Sequence, residues 1–255
     1  MSDHKLLSNL GRHIYGLAAI ALGIIGLVWG DFATVWQPVP DSVPHRTALA
    51  YIVAVCLLAA GAAIQWRRTA RAGLLVLSFF YLVFACLWLR RVIGFPGMIG
   101  TWLGFAEQFA LVLGGIIAYA SLSPRHTMWK NRTPQIARCL FGLCAITFGL
   151  AHFLAVKETA GFVPSWIPLG QRFWAIATGA FHMLAGVAIL TRIQDLLASR
   201  LFTVMLIGFG ALVWAPIVFA HPTDHVSWAG NAINLAIAGA AWIVADSIQA
   251  AATAR

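Results

Sequence analysis

The stretch Phe162-Val163-Pro164-Ser165-Trp166-Ile167-Pro168 stands directly ahead of an apolar run, Gln171 to Thr191. A run of that length crosses a bilayer, which takes about 20 residues of helix. A weaker copy, Pro38-Val39-Pro40-Asp41-Ser42-Val43-Pro44, stands ahead of another such run. Proline breaks a helix, so both stretches read as loops between spans. Two further matches keep the same order along the chain. Arg12-x-x-Tyr15-Gly16-Leu17 with Gly23 answers to Arg138-x-x-Phe141-Gly142-Leu143 with Gly149, and Trp102-x-Gly104-x-Ala106-x-Gln108 answers to Trp228-x-Gly230-x-Ala232-x-Asn234. One half of the chain therefore repeats the other.

The 255 residues are 61% hydrophobic and 10% charged, against about a quarter charged in soluble domains. Eight apolar runs follow one another, at 12–29, 47–66, 72–90, 101–120, 136–155, 172–191, 201–220 and 227–246. This predicts an all-α integral membrane protein. Its eight transmembrane helices form two tandem four-helix bundles, 12–120 and 136–246, joined by a linker at 121–135 with Pro124, Arg125, Lys130, Arg132 and Pro134. Four spans per unit is an even number, so both copies enter the membrane in the same sense. They should be related by a pseudo-two-fold axis near the membrane normal.

The net charge of +9 points to anionic lipid rather than nucleic acid, because the basic residues cluster in short connections between spans. Lys5, Arg12, Arg67, Arg68, Arg71, Arg125, Lys130, Arg132, Arg138, Arg192, Arg200 and Arg255 fall on one side. Only Arg46, Arg90, Arg91, Lys157 and Arg172 fall on the other. The positive-inside rule then makes both termini cytoplasmic and turns the two proline loops outward. The first apolar run has no small-residue cleavage site and reads as a retained helix. Cys56, Cys86, Cys139 and Cys144 form no CxxC pair and read as small buried packing residues. Pro216 predicts a kink near the outer end of the seventh span.

Ionisable and polar groups inside a bilayer are costly, so each is a candidate functional residue. They are His152, His182, Glu107, Gln108, Asn231 and Asn234, with Asp224, His221 and His225 in the outer loop after span seven. His152, His182, Glu107 and Asn234 are expected to line one pocket in the outward half, with Trp166 and Trp174 as its walls. A helix rise of 1.5 Å per residue puts the two histidines about 9 Å apart along the normal, which argues against a haem held between them. A metal site from His152, His221 and His225 lacks close ligand spacing, and no metal is expected. Nucleotide-binding and hydrolase signatures are absent from the sequence.

The pattern Gly149-x-x-His152-Phe153, the Phe162 to Pro168 loop, Trp174-x-x-x-x-Gly179 and His182-x-x-x-Gly186 resembles the DoxX-like family of bacterial four-helix membrane proteins. The match covers most of the second half. The first half carries Gly26 where His152 stands and Leu58 near the place of His182, so a family site is expected in the second half. Members include the small membrane subunit of a thiosulfate:quinone oxidoreductase and membrane partners of oxidative-stress enzymes. The resemblance implies a bacterial inner-membrane accessory subunit that takes a quinone and an oxidoreductase partner. A transporter or lipid-binding bundle without redox chemistry, and a structural anchor whose polar groups tie helices together, are the alternatives.

Overall fold

The computed structural model describes the backbone of residues 2–122 and 129–253 and the side chains of residues 10–122 and 132–253. These residues form ten α-helices and one π turn, with no strand among them. The helices are α1 Ser2–Trp29, α2 Arg46–Gln65, α3 Ala70–Gly94, α4 Ile99–Ser121, α5 Trp129–Leu154, α6 Val156–Phe162, α7 Gln171–Thr191, α8 Asp195–Phe209, α9 Ala215–Ala220 and α10 His225–Ala252. The π turn, Gly210–Trp214, joins α8 to α9. Eight segments are long and apolar enough to cross a membrane, α8 to α9 counting as one, and the chain is a multi-pass membrane protein. Residues 123–128 lie outside the described residues, and 129–135, Pro134 included, already belong to α5.

Lipid offers no hydrophobic force between helices, so they associate where small residues let backbones touch. A β-carbon on Gly61 of α2 would lie 2.5 Å from the carbonyl oxygen of Gly16 on α1. Gly186 of α7 meets Gly142 of α5 in the same way, also at 2.5 Å. Gly239 of α10 rests on Tyr15 of α1, where a β-carbon would stand 2.6 Å from the backbone nitrogen. Gly114 of α4 faces the β-carbon of Ala240 on α10 at 2.6 Å. The helices make a closed circuit, α1 to α2, α3, α4, α5, α7, α8, α10 and back to α1, and α4 and α10 touch across it.

Several polar groups inside this bundle tie one helix to another. Tyr15, fully buried, donates its hydroxyl to Leu111 O at 2.8 Å and meets Tyr81 edge-on. Arg200 on α8 bonds Asp246 at 2.8 Å and Gln249 at 2.9 Å on α10. Near the opposite end, Arg46 pairs with Asp31 and lies over the Phe32 ring. Three indoles reach back to a proline carbonyl six residues earlier: Trp102 to Pro96 at 3.0 Å, Trp174 to Pro168 at 2.7 Å, and Trp228 to Pro222 at 2.9 Å. The expectation of buried cysteines holds for Cys144 alone. Cys56 and Cys139 are half-buried, Cys86 is exposed, and all four are free. Thiols are compatible with lipid contact, because they behave as small apolar groups.

Asp224 caps α10 by accepting from Val226 N at 3.4 Å and Ser227 N at 2.9 Å. The Ser227 hydroxyl holds its carboxyl below the usual carboxylate range. Asp224→Ala is expected to cost about 1 kcal/mol of helix-cap stability, read as a lower thermal midpoint in detergent. A depressed folded pKa means that the ionised cap contributes above the unfolded carboxyl pKa, and the contribution fades as pH falls through the folded one. The gap between wild type and Asp224→Ala should therefore narrow in acid.

Candidate functional site

Two imidazoles meet at the centre of the second half. His152, near the end of α5, and His182, midway along α7, have ring centroids 4.7 Å apart and planes 35° apart. Glycines bring them together. A β-carbon on Gly149 would lie 2.7 Å from Gly179 O, and one on Gly179 would lie 2.7 Å from the β-carbon of His152. The separation of about 9 Å expected from counting residues is thus corrected. Counting took both helices to start at one level, but after α5 ends at Leu154 the chain runs through α6 and the proline loop before α7 begins at Gln171. His182 therefore comes level with His152. The depth argument against a haem falls with that estimate. Mutual ring contact replaces it, since a porphyrin must stand between its two axial imidazoles.

Each imidazole is held by its own helix. His152 Nδ1 lies 2.8 Å from Phe148 O and His182 Nδ1 lies 2.7 Å from Thr178 O, both one turn earlier. A carbonyl only accepts, so each Nδ1 carries a proton, and in the neutral ring each Nε2 presents a lone pair. Among the described residues no protein group hydrogen-bonds either Nε2. Aromatic rings box the pair. Phe209 lies nearly parallel to both, 6.5 Å from His152 and 5.9 Å from His182. Phe202 and Phe148 stand edge-on to His182 at 5.3 and 5.9 Å. His182 is 3% exposed while His152 is half-buried, so His152 is the more accessible of the two.

The box ends at an irregularity in the backbone. Ala215 N donates to Gly210 O, five residues back, which makes Gly210–Trp214 a π turn. Pro216 follows directly in α9. It has no N–H to continue the ladder, and the extra residue in the preceding turn absorbs the mismatch. A π turn stands just ahead of Pro216, where the sequence predicts a kink. Phe209 is the last residue before it.

No family model, curated protein or solved structure matches the chain. The geometry itself is what distinguishes the candidates. Among the expected pocket residues, His152 and His182 are in ring contact with each other, and the others make the following contacts. Asn234 donates Nδ2 to Leu206 O at 2.9 Å, tying α10 to α8, and bonds neither histidine. Glu107, on α4, lies beside the Trp36 side chain in the loop after α1. Trp166 is 69% exposed in the outer loop, and Trp174 is engaged with Pro168 and Phe173. His225 stacks on Trp29 at 5.0 Å, His221 is exposed, and among the described residues no three His, Cys, Asp or Glu groups gather as a metal site would need. Residue types alone did not flag Phe148, Phe202, Phe209 and the π turn. The usable signals were Phe148 and Thr178, each four residues ahead of a histidine, and Gly210 so close to Pro216.

Asn234 and the histidines therefore do different things. A side chain that holds helices together makes its hydrogen bond across them, as Asn234 does. Both histidine bonds stay within their own helices. The pair thus leaves two Nε2 acceptors that no protein group among the described residues satisfies, beside aromatic rings that cannot donate to them.

Proposed function

We propose that the chain is a membrane-embedded accessory subunit that holds a quinone-type redox lipid against the His152–His182 pair. The observation that carries this reading is the pair itself: two imidazoles in ring contact, neither tying helices, inside three phenylalanine rings. Aromatic walls suit a flat ring, and an imidazole Nε2 beside such a ligand offers a site that takes up or returns a proton as the ligand's redox state changes. The resemblance to the DoxX-like family points the same way, with a bacterial inner membrane as the location and an oxidoreductase as the partner. The test is extraction of organic-soluble molecules from purified protein. Quinone and quinol, counted together, are expected to accompany the wild type and to drop at least tenfold in His182→Leu, with the thermal midpoint as the check on folding. Equal combined content in a folded His182→Leu protein would sink the reading.

The same proposal includes the tandem duplication. One offset relates Trp102 and Pro96 to Trp228 and Pro222, and also Gly104 packed on Trp88 to Gly230 packed on Trp214. It relates Gly114 to Ala240 too, and these two touch each other, as counterparts at a two-fold axis do. Gly23 lies against Ala54 O and Leu58, as Gly149 lies against Gly179 O and Met183. That equivalence makes Leu57, rather than Leu58, the counterpart of His182. The first half then has Gly26 and Leu57 where the second has histidines, and α3 runs without the π turn.

For the orientation, single cysteines at Ser42 and Ser165, both exposed, are expected to react with a membrane-impermeant maleimide added outside. Labelling of either only after the membrane is opened would invert the topology.

A further inference from the structure

Resting on the ligand site just proposed, we infer that the pair selects a hydroxyl donor: the form held is the reduced, phenolic one, not the carbonyl form. The argument is hydrogen-bond accounting. Both Nδ1 protons are committed to helix carbonyls, at 2.8 Å for His152 and 2.7 Å for His182. What the neutral pair presents is two Nε2 lone pairs, whose rings are 4.7 Å apart. Two acceptors cannot bond each other, and a quinone oxygen, itself only an acceptor, meets them with repulsion. A phenolic hydroxyl donates a proton to one Nε2 and satisfies it. The surroundings keep the pair in this state, because apart from His152 the rings against His182 are Phe148, Phe202 and Phe209, none of which donates or carries charge.

The same accounting sets the preference by class. A hydroquinone or alkylphenol fits, an aryl ether of the same shape does not, and a quinone fits only if a proton is added to an imidazole first. The half-buried His152 edge is where such a ring enters, with Phe209 lying parallel to both imidazoles as the third face.

The experiment uses purified full-length protein in detergent and two matched probe pairs, followed by calorimetric titration. The first pair is para-heptylphenol and para-heptylanisole, which share shape and lack redox chemistry. The second is decylubiquinol and decylubiquinone. The phenol is expected to bind about tenfold more tightly than its methyl ether, the size of one satisfied against one unsatisfied hydrogen bond. The quinol should exceed the quinone in the same sense. In His182→Leu the phenol and its ether should bind alike. Equal binding of phenol and ether to the wild type overturns the donor selection. Quinone binding more tightly than quinol also overturns it, while leaving the site reading in place. Failure of all four probes removes both. The wild-type comparison decides by itself, so a variant that does not fold leaves the test intact.

Discussion

Gly239→Leu is expected to destabilise the helix bundle by about 3 kcal/mol. A β-carbon there would stand 2.6 Å from Tyr15 N and 2.8 Å from its α-carbon, so the obstacle is backbone and cannot rotate away. The α1 and α10 axes would have to part, and with them the close contacts that substitute for hydrophobic force in lipid. Thermal unfolding in detergent should show a large midpoint drop for this variant. Gly97→Ala, where nothing lies within 4 Å of the new carbon, should leave the midpoint near wild type. Similar midpoints for the two would mean that α1 and α10 do not pack as described.

Gln108→Leu is expected to act in the opposite direction and raise stability by about 2 kcal/mol. Gln108 is 0% exposed on α4, and neither its Oε1 nor its Nε2 has a hydrogen-bond partner among the described residues. Leucine is close in volume and has no group left unbonded. Tyr81 OH and Trp88 Nε1, also buried and unpartnered, lie on the neighbouring helix α3. An unchanged or lowered midpoint would show that these groups satisfy one another or hold a bound molecule in solution. Tyr15→Phe is the useful contrast, because it strips a donor from an acceptor that has one, Leu111 O, and should cost about 1 kcal/mol.

The spans were legible because length and hydropathy are nearly sufficient to find a membrane helix. The run expected at 47–66 is helix Arg46–Gln65, and the one at 172–191 is Gln171–Thr191. The histidines were legible as polar groups in the wrong solvent. Their meeting was not, because register between α5 and α7 depends on how far α6 and the proline loop carry the chain, and seven residues of short helix leave no periodic signal. Asn234 and Glu107 were legible as polar, but a polar side chain says nothing of the carbonyl or indole it will find. The π turn was half visible, since Pro216 announced a fault in the ladder while its form depended on where the extra residue fitted.

The contact between α1 and α10 bears on how the protein is made. Synthesis delivers α1 first and α10 last among these helices, so the face of α1 around Tyr15 enters the bilayer long before Gly239 exists to cover it. Between those moments α1 can settle on α2, through Gly16 and Gly61, but its second partner is still on the ribosome. The closed circuit is therefore completed only when α10 is threaded in. Until then α1 waits with one flank against lipid, and a neighbour that covers small-residue faces would protect the nascent chain.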